Sequence, residues 1–495
     1  MTLAAILVYL ALVLTIGMLS HRLFRGTGED YFLATRTIGP FLLLMSLFGT
    51  HMTAFSLLGA SGEGYRQGIG VFGLMASSSA LVVPAVFYFI GTRLWKAGKR
   101  HGYLTQVQYF RERWDSDGLG VLLFVVLIAL LIPYLLIGVM GGGLALNEIT
   151  DGQVPQWTGS LAVCLVVLTY VTYGGLRGTA WANTFQTLVF MILGGVTFFW
   201  IVSRLGGLDA ALARVQAENP ALLIRGDRIQ PLKLLTYACI PLSVGMFPHI
   251  FMHWLTARRA SSFRLPIVGY PICVAVVWFP SVLLGVLGSS AVPGLEGPAA
   301  NSILVQMIQI HAPALLAGLL GAGVFAAIMS SLDSQVLALG TMFTQDIVRH
   351  YGFQNRMSER QQVLAGRLFV TGILLATYLI SLVTHRNIFK LGIWSFSGFA
   401  GLFPVVAAAV LWKRSTKQGV VASIFSVALL WAFFFWQGWS VPGYTVGGSG
   451  VMAVAVILPV SGAVLALVSL LTQRPAPEVL GKFFEEPSSR HSSSS

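Results

Sequence analysis

Charge is what this 495-residue chain has least of. Asp, Glu, Lys and Arg make up 10% of it, hydrophobic residues 56%, and the mean hydropathy is +0.78. Water-soluble domains carry about a quarter charged residues, so the shortage excludes an ordinary globular protein and points to a polytopic membrane protein. Cysteine is nearly absent. Cys164, Cys239 and Cys273 all lie in apolar stretches, where single thiols pack rather than form a disulfide framework or a metal site. Short alternating strands are missing, which excludes an outer-membrane barrel. Also missing are a carboxylate cluster for a divalent ion, a Gly-rich nucleotide loop ending in Lys, and a GxSxG elbow. These gaps argue against an enzyme or an ATP-driven pump. Neither a ring of charges nor a repeated filter loop marks a channel.

What the chain does have is long apolar runs. Thirteen are long enough to cross a bilayer as helices: 2–20, 38–60, 70–92, 119–146, 157–173, 181–203, 234–255, 267–290, 312–345, 364–384, 391–411, 418–436 and 450–472. The net charge of +13 follows topology. With the N-terminus outside, the inner loops and adjoining helix ends hold 23 of the 31 Lys and Arg, and TRLWKAGKRH (92–101) is the strongest anchor. That bias is the positive-inside pattern, giving N-out and C-in with no nucleic-acid partner implied. The first run has no basic residue before it and no small-residue cleavage pattern, so a retained helix is expected rather than a signal peptide. The polar, Ser-rich end, 474–495, reads as a disordered cytoplasmic tail.

Two runs carry polar interruptions. In span 38–60, Gly49, Thr50, His51, Met52 and Thr53 break the apolar pattern at mid-depth. Irregular backbone there is tolerated where it faces protein or a water-filled cavity, so this is a solute site or a close Gly/Thr helix contact. His51 is open to three uses: a hydrogen bond to solute, proton coupling, or packing. In span 312–345, Ala327, Ser330, Ser331 and Ser334 fall within about 100° of one another on a helix. Such a stripe is either serine bonding back to its own carbonyls or a set of neutral oxygens suited to a monovalent cation. Asp333, the one acidic residue inside an apolar run, lies roughly 110° off that stripe. It is either a functional carboxyl or one paired with a neighbouring helix. His249 and His253 in FPHIFMHW have i, i+4 spacing but no Glu between them, and are expected to be interfacial histidines rather than zinc ligands.

Five segments in order resemble the sodium:solute symporter family: DYFLATRTIGP (30–40), GTHMTAFSLLG (49–59), TYGGLRGTAWANTFQ (172–186), MFPHI (246–250) and AAIMSSLDSQVLALGTMFTQDI (326–347). The resemblance runs from about 30 to 472. It implies an all-α membrane protein of about 13 transmembrane helices, with an inverted 5+5 repeat of leucine-transporter type. The transporter domain is then 1–473. It divides into an extra N-terminal helix and loop (1–37), repeat 1 (38–203), repeat 2 (234–411) and two C-terminal helices (412–473). Matched residue by residue, the sodium site would use the carbonyls of Gly49, Met52 and Ala327 and the hydroxyls of Ser330 and Ser331. Solute contacts would come from Thr50, His51, Thr53, Ile240 and Val244. Asn183 and Asp333 would serve coupling or gating. Three departures matter. Asn183 stands where the family usually has Asp, which removes the charge a second sodium would use. His51 stands where Asp, Asn or Ser is frequent, which raises proton involvement. Ile240 and Val244 replace the large aromatics of the proline carriers, so a monocarboxylate or pantothenate-like solute is equally allowed.

The function so implied is sodium-coupled symport: import of a small organic solute by alternating access, Na⁺ being the coupling ion. The protein is expected in the cell membrane and working as a monomer with no obligate protein partner. A proton-coupled symporter of the same fold and a non-transporting solute sensor are the alternatives. One charge moving down 100 mV gains about 2.3 kcal/mol, and a tenfold sodium gradient adds about 1.4 kcal/mol. One sodium therefore suffices to concentrate a neutral solute several-hundredfold.

Overall fold

Apolar sequence without strand signals folds as helix throughout. The computed structural model describes residues 2–22, 37–226, 228–352, 357–384 and 387–484. Among them the sole β-type pairing is an isolated bridge of Ile38 with Ala257. Nine helices are long and apolar enough to cross a membrane, or up to eleven if each of two bent pairs is one span. Two further expected spans, 2–20 and 157–173, coincide with the shorter apolar stretches Ala4–Thr15 and Gln156–Thr169. Among the described residues up to eleven of the thirteen expected spans are thus long enough to cross.

The chain begins with α1 (Thr2–Arg22) and continues, after residues outside the described set, into α2 (Pro40–His51) and α3 (Phe55–Gln67). Most of DYFLATRTIGP, residues 30–36, lies outside the described residues. Pro40 sits at the start of α2, where its missing N–H costs nothing. Met52 leaves the helix in an extended conformation, Thr53 Oγ1 accepts the Phe55 N–H at 2.9 Å, and the axes bend by 65°. Next come α4 (Gly70–His101), the short polar α5 (Gln106–Arg113), α6 (Asp117–Ile149) and α7 (Gln156–Arg204). The loop expected at 174–180 is instead helical backbone inside α7.

After α8 (Leu208–Glu218) a second bent pair follows, α9 (Pro231–Gly245) and α10 (Pro248–Leu255), with axes at 54°. Proline explains this break. A residue before proline is driven to extended backbone, and Phe247 has φ −69°, ψ 119°. The rest is α11 (Ala260–Ala291), α12 (Ile303–His311), α13 (Ala314–Arg349), α14 (Glu359–Val383), α15 (Ile388–Leu411), α16 (Lys417–Gly438) and α17 (Val454–Leu471). The most apolar window of α13 is 83% buried, so this helix is the interior rod on which the others pack. Backbone hydrogen bonds from Ile38 N–H to Thr256 O (3.2 Å) and Arg258 N–H to Ile38 O (3.0 Å) tie the start of α2 to the end of α10.

The tail departs from expectation. Residues 477–484 form α18 (Pro477–Phe484), docked on α5 through a Lys482–Glu112 pair, with Phe483 parallel to Tyr103 at 6.4 Å. Arg113 lies 4.8 Å over the Phe484 ring. Two aromatic side chains with a surface to cover outweigh the disorder that Ser and Pro composition favours. The remainder of the expected tail, 485–495, lies outside the described residues.

Candidate functional site

The break after α2 sets the last turn of that helix against the middle of α13. Gly49 is among the four C-terminal carbonyls that a helix leaves without amide partners. Ser330 Oγ lies 2.8 Å from Gly49 O and 3.0 Å from Ala327 O, and donates into that pair. Serine bonding only its own helix would be a plain structural role. The Gly49 contact crosses to a helix 281 positions away. Ser331 Oγ donates to Ile328 O at 3.2 Å, and Met52 is fully buried beside the break. Gly49, Ala327 and Ser330, three of the five expected sodium ligands, therefore meet at one hydroxyl, with Ser331 next in line. Oxygens of this neutral kind fit a monovalent cation.

Beside them runs a buried polar chain. Asn183 Nδ2 donates to Ser334 Oγ at 2.8 Å, and Ser334 Oγ donates to Asp333 Oδ1 at 3.2 Å. His253 bridges Ser334 Oγ (Nε2, 3.1 Å) and Ser46 Oγ (Nδ1, 2.7 Å). Asp333 and Asn183 are fully buried, and Tyr9 of α1 lies in electrostatic range of the carboxyl. The stripe and Asp333, 110° apart by simple helical spacing, are thus joined through Ser334. The expectation of interfacial histidines at 249 and 253 is corrected: each is 1% exposed. The face carrying both packs inward because α10, turned by the Phe247–Pro248 break, lies against α2 and α13. Among the described residues no three His, Cys, Asp or Glu side chains gather as a metal site would need.

The expected solute residues divide. Thr50 Oγ1 is buried without a partner, whereas Thr53 Oγ1 is occupied as the α3 cap. His51 Nδ1 is hydrogen-bonded to Tyr270 OH, and the two rings stack at 5.9 Å. Ile240 and Val244 are buried in a 3₁₀ turn of α9. Around the second break sits an aromatic cluster that the sequence reading did not single out. The Phe247 ring is 5.9 Å from His51, 5.2 Å from Tyr134, 5.2 Å from His249 and 5.6 Å from Phe396. Only the pairing of a Pro-broken helix with two histidines hinted at it. Phe396 contacts Phe55, and Phe55 stacks on Phe389 at 4.8 Å. Phe389 in turn lines a vestibule of about 230 Å³ whose wall includes Glu63, Arg66, Lys233, Lys390 and Trp394.

Two broken helices meeting around an interior rod, with hydroxyl and carbonyl oxygens at the crossing, define a secondary carrier. The chain belongs to the sodium:solute symporter family, whose profile matches residues 31–426. It is 24% identical to the sodium/proline symporter of Escherichia coli, over 98% of this chain and 96% of the relative. Identity is 25% to the sodium/pantothenate symporter of E. coli, over 86% and 88%. To the sodium/glucose cotransporter of Vibrio parahaemolyticus it is 26%, over 84% and 82%. Among solved structures, a Na⁺-coupled sialic acid symporter in a substrate-bound outward-open state matches with a TM-score of 0.77 at 16% identity, covering 96% of this chain and 98% of that one. MhsT in complex with L-phenylalanine matches at 0.56 with 13% identity, covering 87% and 97%. The fold is that of the leucine-transporter-type sodium symporters, the protein is a multi-pass protein of the cell membrane, and Na⁺ is its coupling ion.

Proposed function

We propose that the chain imports a small organic solute together with Na⁺ by alternating access, with its N-terminus outside. Na⁺ binds among the carbonyls of Gly49, Met52 and Ala327 and the hydroxyls of Ser330 and Ser331. The solute binds next to it, between the α2–α3 break and the α9–α10 break, below the Phe55–Phe389 stack. The observation that carries this reading is the Ser330–Gly49 contact. It joins two helices that move relative to each other in an alternating-access cycle, so an ion held there senses and sets their relation. Asn183 and Asp333 flank that contact through Ser334, a position suited to coupling.

The test needs no solute. Thermal unfolding of the purified protein in NaCl should exceed that in KCl or choline chloride, because an ion that binds only the folded state at 100 times its Kd stabilises by about 2.7 kcal/mol. Ser330→Ala with Ser331→Ala should abolish the sodium increment. A sodium increment that survives the double substitution would overturn the site.

A further inference from the structure

The symport reading leaves the solute open, and two buried groups narrow it. His249 is 1% exposed, and neither ring nitrogen has a hydrogen-bond partner. Tyr134, also 1% exposed, has an unpartnered hydroxyl. Their rings are 5.5 Å apart, and His249 stacks on Phe247 at 5.2 Å. Buried polar atoms in native proteins are nearly always hydrogen-bonded, so two such groups side by side signal a partner supplied from outside the chain. Both donate: a tyrosine hydroxyl carries one O–H, and an imidazole at least one N–H in either protonation state. His249 is also the second residue of α10, whose start has no side-chain cap. A helix start presents free amides and a positive dipole end, which favour an anion.

The vestibule agrees independently. Its walls carry Arg66, Lys233 and Lys390 against Glu63 alone. Glu63 pairs with Arg66, leaving an excess of two positive charges. Lys390 Nζ caps the end of α16 through Trp439 O (2.8 Å) and Val441 O (2.9 Å), and Lys233 Nζ is 3.5 Å from Gln67 Oε1. A mouth of one sign concentrates ligands of the other. From the two sets together we infer that the transported solute is a small organic monocarboxylate, its carboxylate received by Tyr134, His249 and the first turn of α10. Two side-chain donors and a single helix start, with no Lys or Arg among the rings packed on Phe247, suit one negative charge rather than a phosphate. Phe247 and Phe396, packed against Tyr134 at 5.2 and 4.9 Å, offer apolar contact to the rest of the molecule.

This inference rests on the symport reading, and one experiment separates the two. Thermal unfolding of the full-length protein is measured in choline chloride and NaCl, then with propionate, lactate and pyruvate, and with propionamide, lactamide and glucose. The carboxylates should raise the midpoint further, in sodium only, while the amides and glucose do not. Tyr134→Phe removes a hydroxyl without an internal partner, so the solute-free protein should be at least as stable as the parent. The carboxylate concentration needed for half the effect should nevertheless rise at least tenfold, and His249→Gln should do the same. Amides that match the carboxylates, a panel without effect, or variants that respond like the parent would each overturn the inference. Loss of the sodium increment itself would instead overturn the symport reading.

Discussion

At Gly49 a methyl group has no room: an added Cβ would lie 2.0 Å from Thr187 Oγ1 and 3.2 Å from Asn183 O. Overpacking of this kind costs about 1–3 kcal/mol. Gly49→Ala should lower the thermal midpoint and weaken the sodium increment, and adding Thr187→Ala, which removes the clashing oxygen, should restore part of the loss. Costs that simply add in the double variant would show that the two residues do not press on each other. His253 poses the opposite case, a polar group that is fully used. His253→Phe leaves the Ser46 hydroxyl without its partner inside the bundle, at about 1–3 kcal/mol, while Ser334 keeps Asn183 and Asp333. Its unfolding midpoint should drop in sodium and choline alike, which distinguishes it from the Ser330/Ser331 pair. Neither role was legible in FPHIFMHW, because i, i+4 spacing puts two histidines on one face without saying what that face meets. The hydroxyl stripe of α13 was legible, since it needs only helical periodicity.

At the scale of elements, α5 is the piece to watch. Its N-cap Thr105 donates to Asp346 on α13 (3.0 and 2.8 Å), and Gln106 Nε2 donates to Met246 O at the α9–α10 break (3.1 Å). At its other end Arg113 Nε reaches Ala409 O of α15 at 3.1 Å. This short helix therefore ties together α13, the α9–α10 break and α15, and α18 clamps its free side. Burial acts to raise the Glu112 pKa, but hydrogen bonds from Lys482 and Tyr103 outweigh it and hold the carboxyl below the ordinary glutamate range. A depressed carboxyl contributes fully above its ordinary value and loses that contribution as pH falls through the lowered one. The contribution of the Lys482–Glu112 pair to α18 docking should accordingly hold above the ordinary glutamate range and be lost below about pH 4. A nitroxide attached at Gly481→Cys would report this as a gain in mobility on acidification. Mobility that is already high at neutral pH would contradict the docked helix.

For the whole molecule, the sign of the solute decides the energetics. A monocarboxylate entering with one Na⁺ moves no net charge, so the roughly 2.3 kcal/mol per 100 mV does no work. A tenfold sodium gradient then supports about tenfold accumulation, against several-hundredfold for a neutral solute. Carboxylate uptake into proteoliposomes should thus be insensitive to a potassium diffusion potential. Steep stimulation by an inside-negative potential would require a second cation, despite an uncharged Asn183. The proposed N-out, C-in arrangement makes its own demand: a cysteine at position 481 should react with a membrane-impermeant reagent only after cells are opened.

Sequence alone determined that this is a helical membrane protein, where most of its spans run, which loops are basic, and which helices hold the break and the hydroxyl stripe. Hydropathy, charge bias and helical spacing are properties of short stretches, so they survive without a fold. Only the tertiary structure decided that Ser330 meets the Gly49 carbonyl, that Ser334 links Asp333 to Asn183 and His253, and that His249 and Tyr134 share an aromatic cluster. The pairings between helices span 81 to 281 positions of sequence and hinge on two bends. The depth to which the Phe247–Pro248 break turns α10 inward depends on the helices it packs against, and no local pattern encodes it.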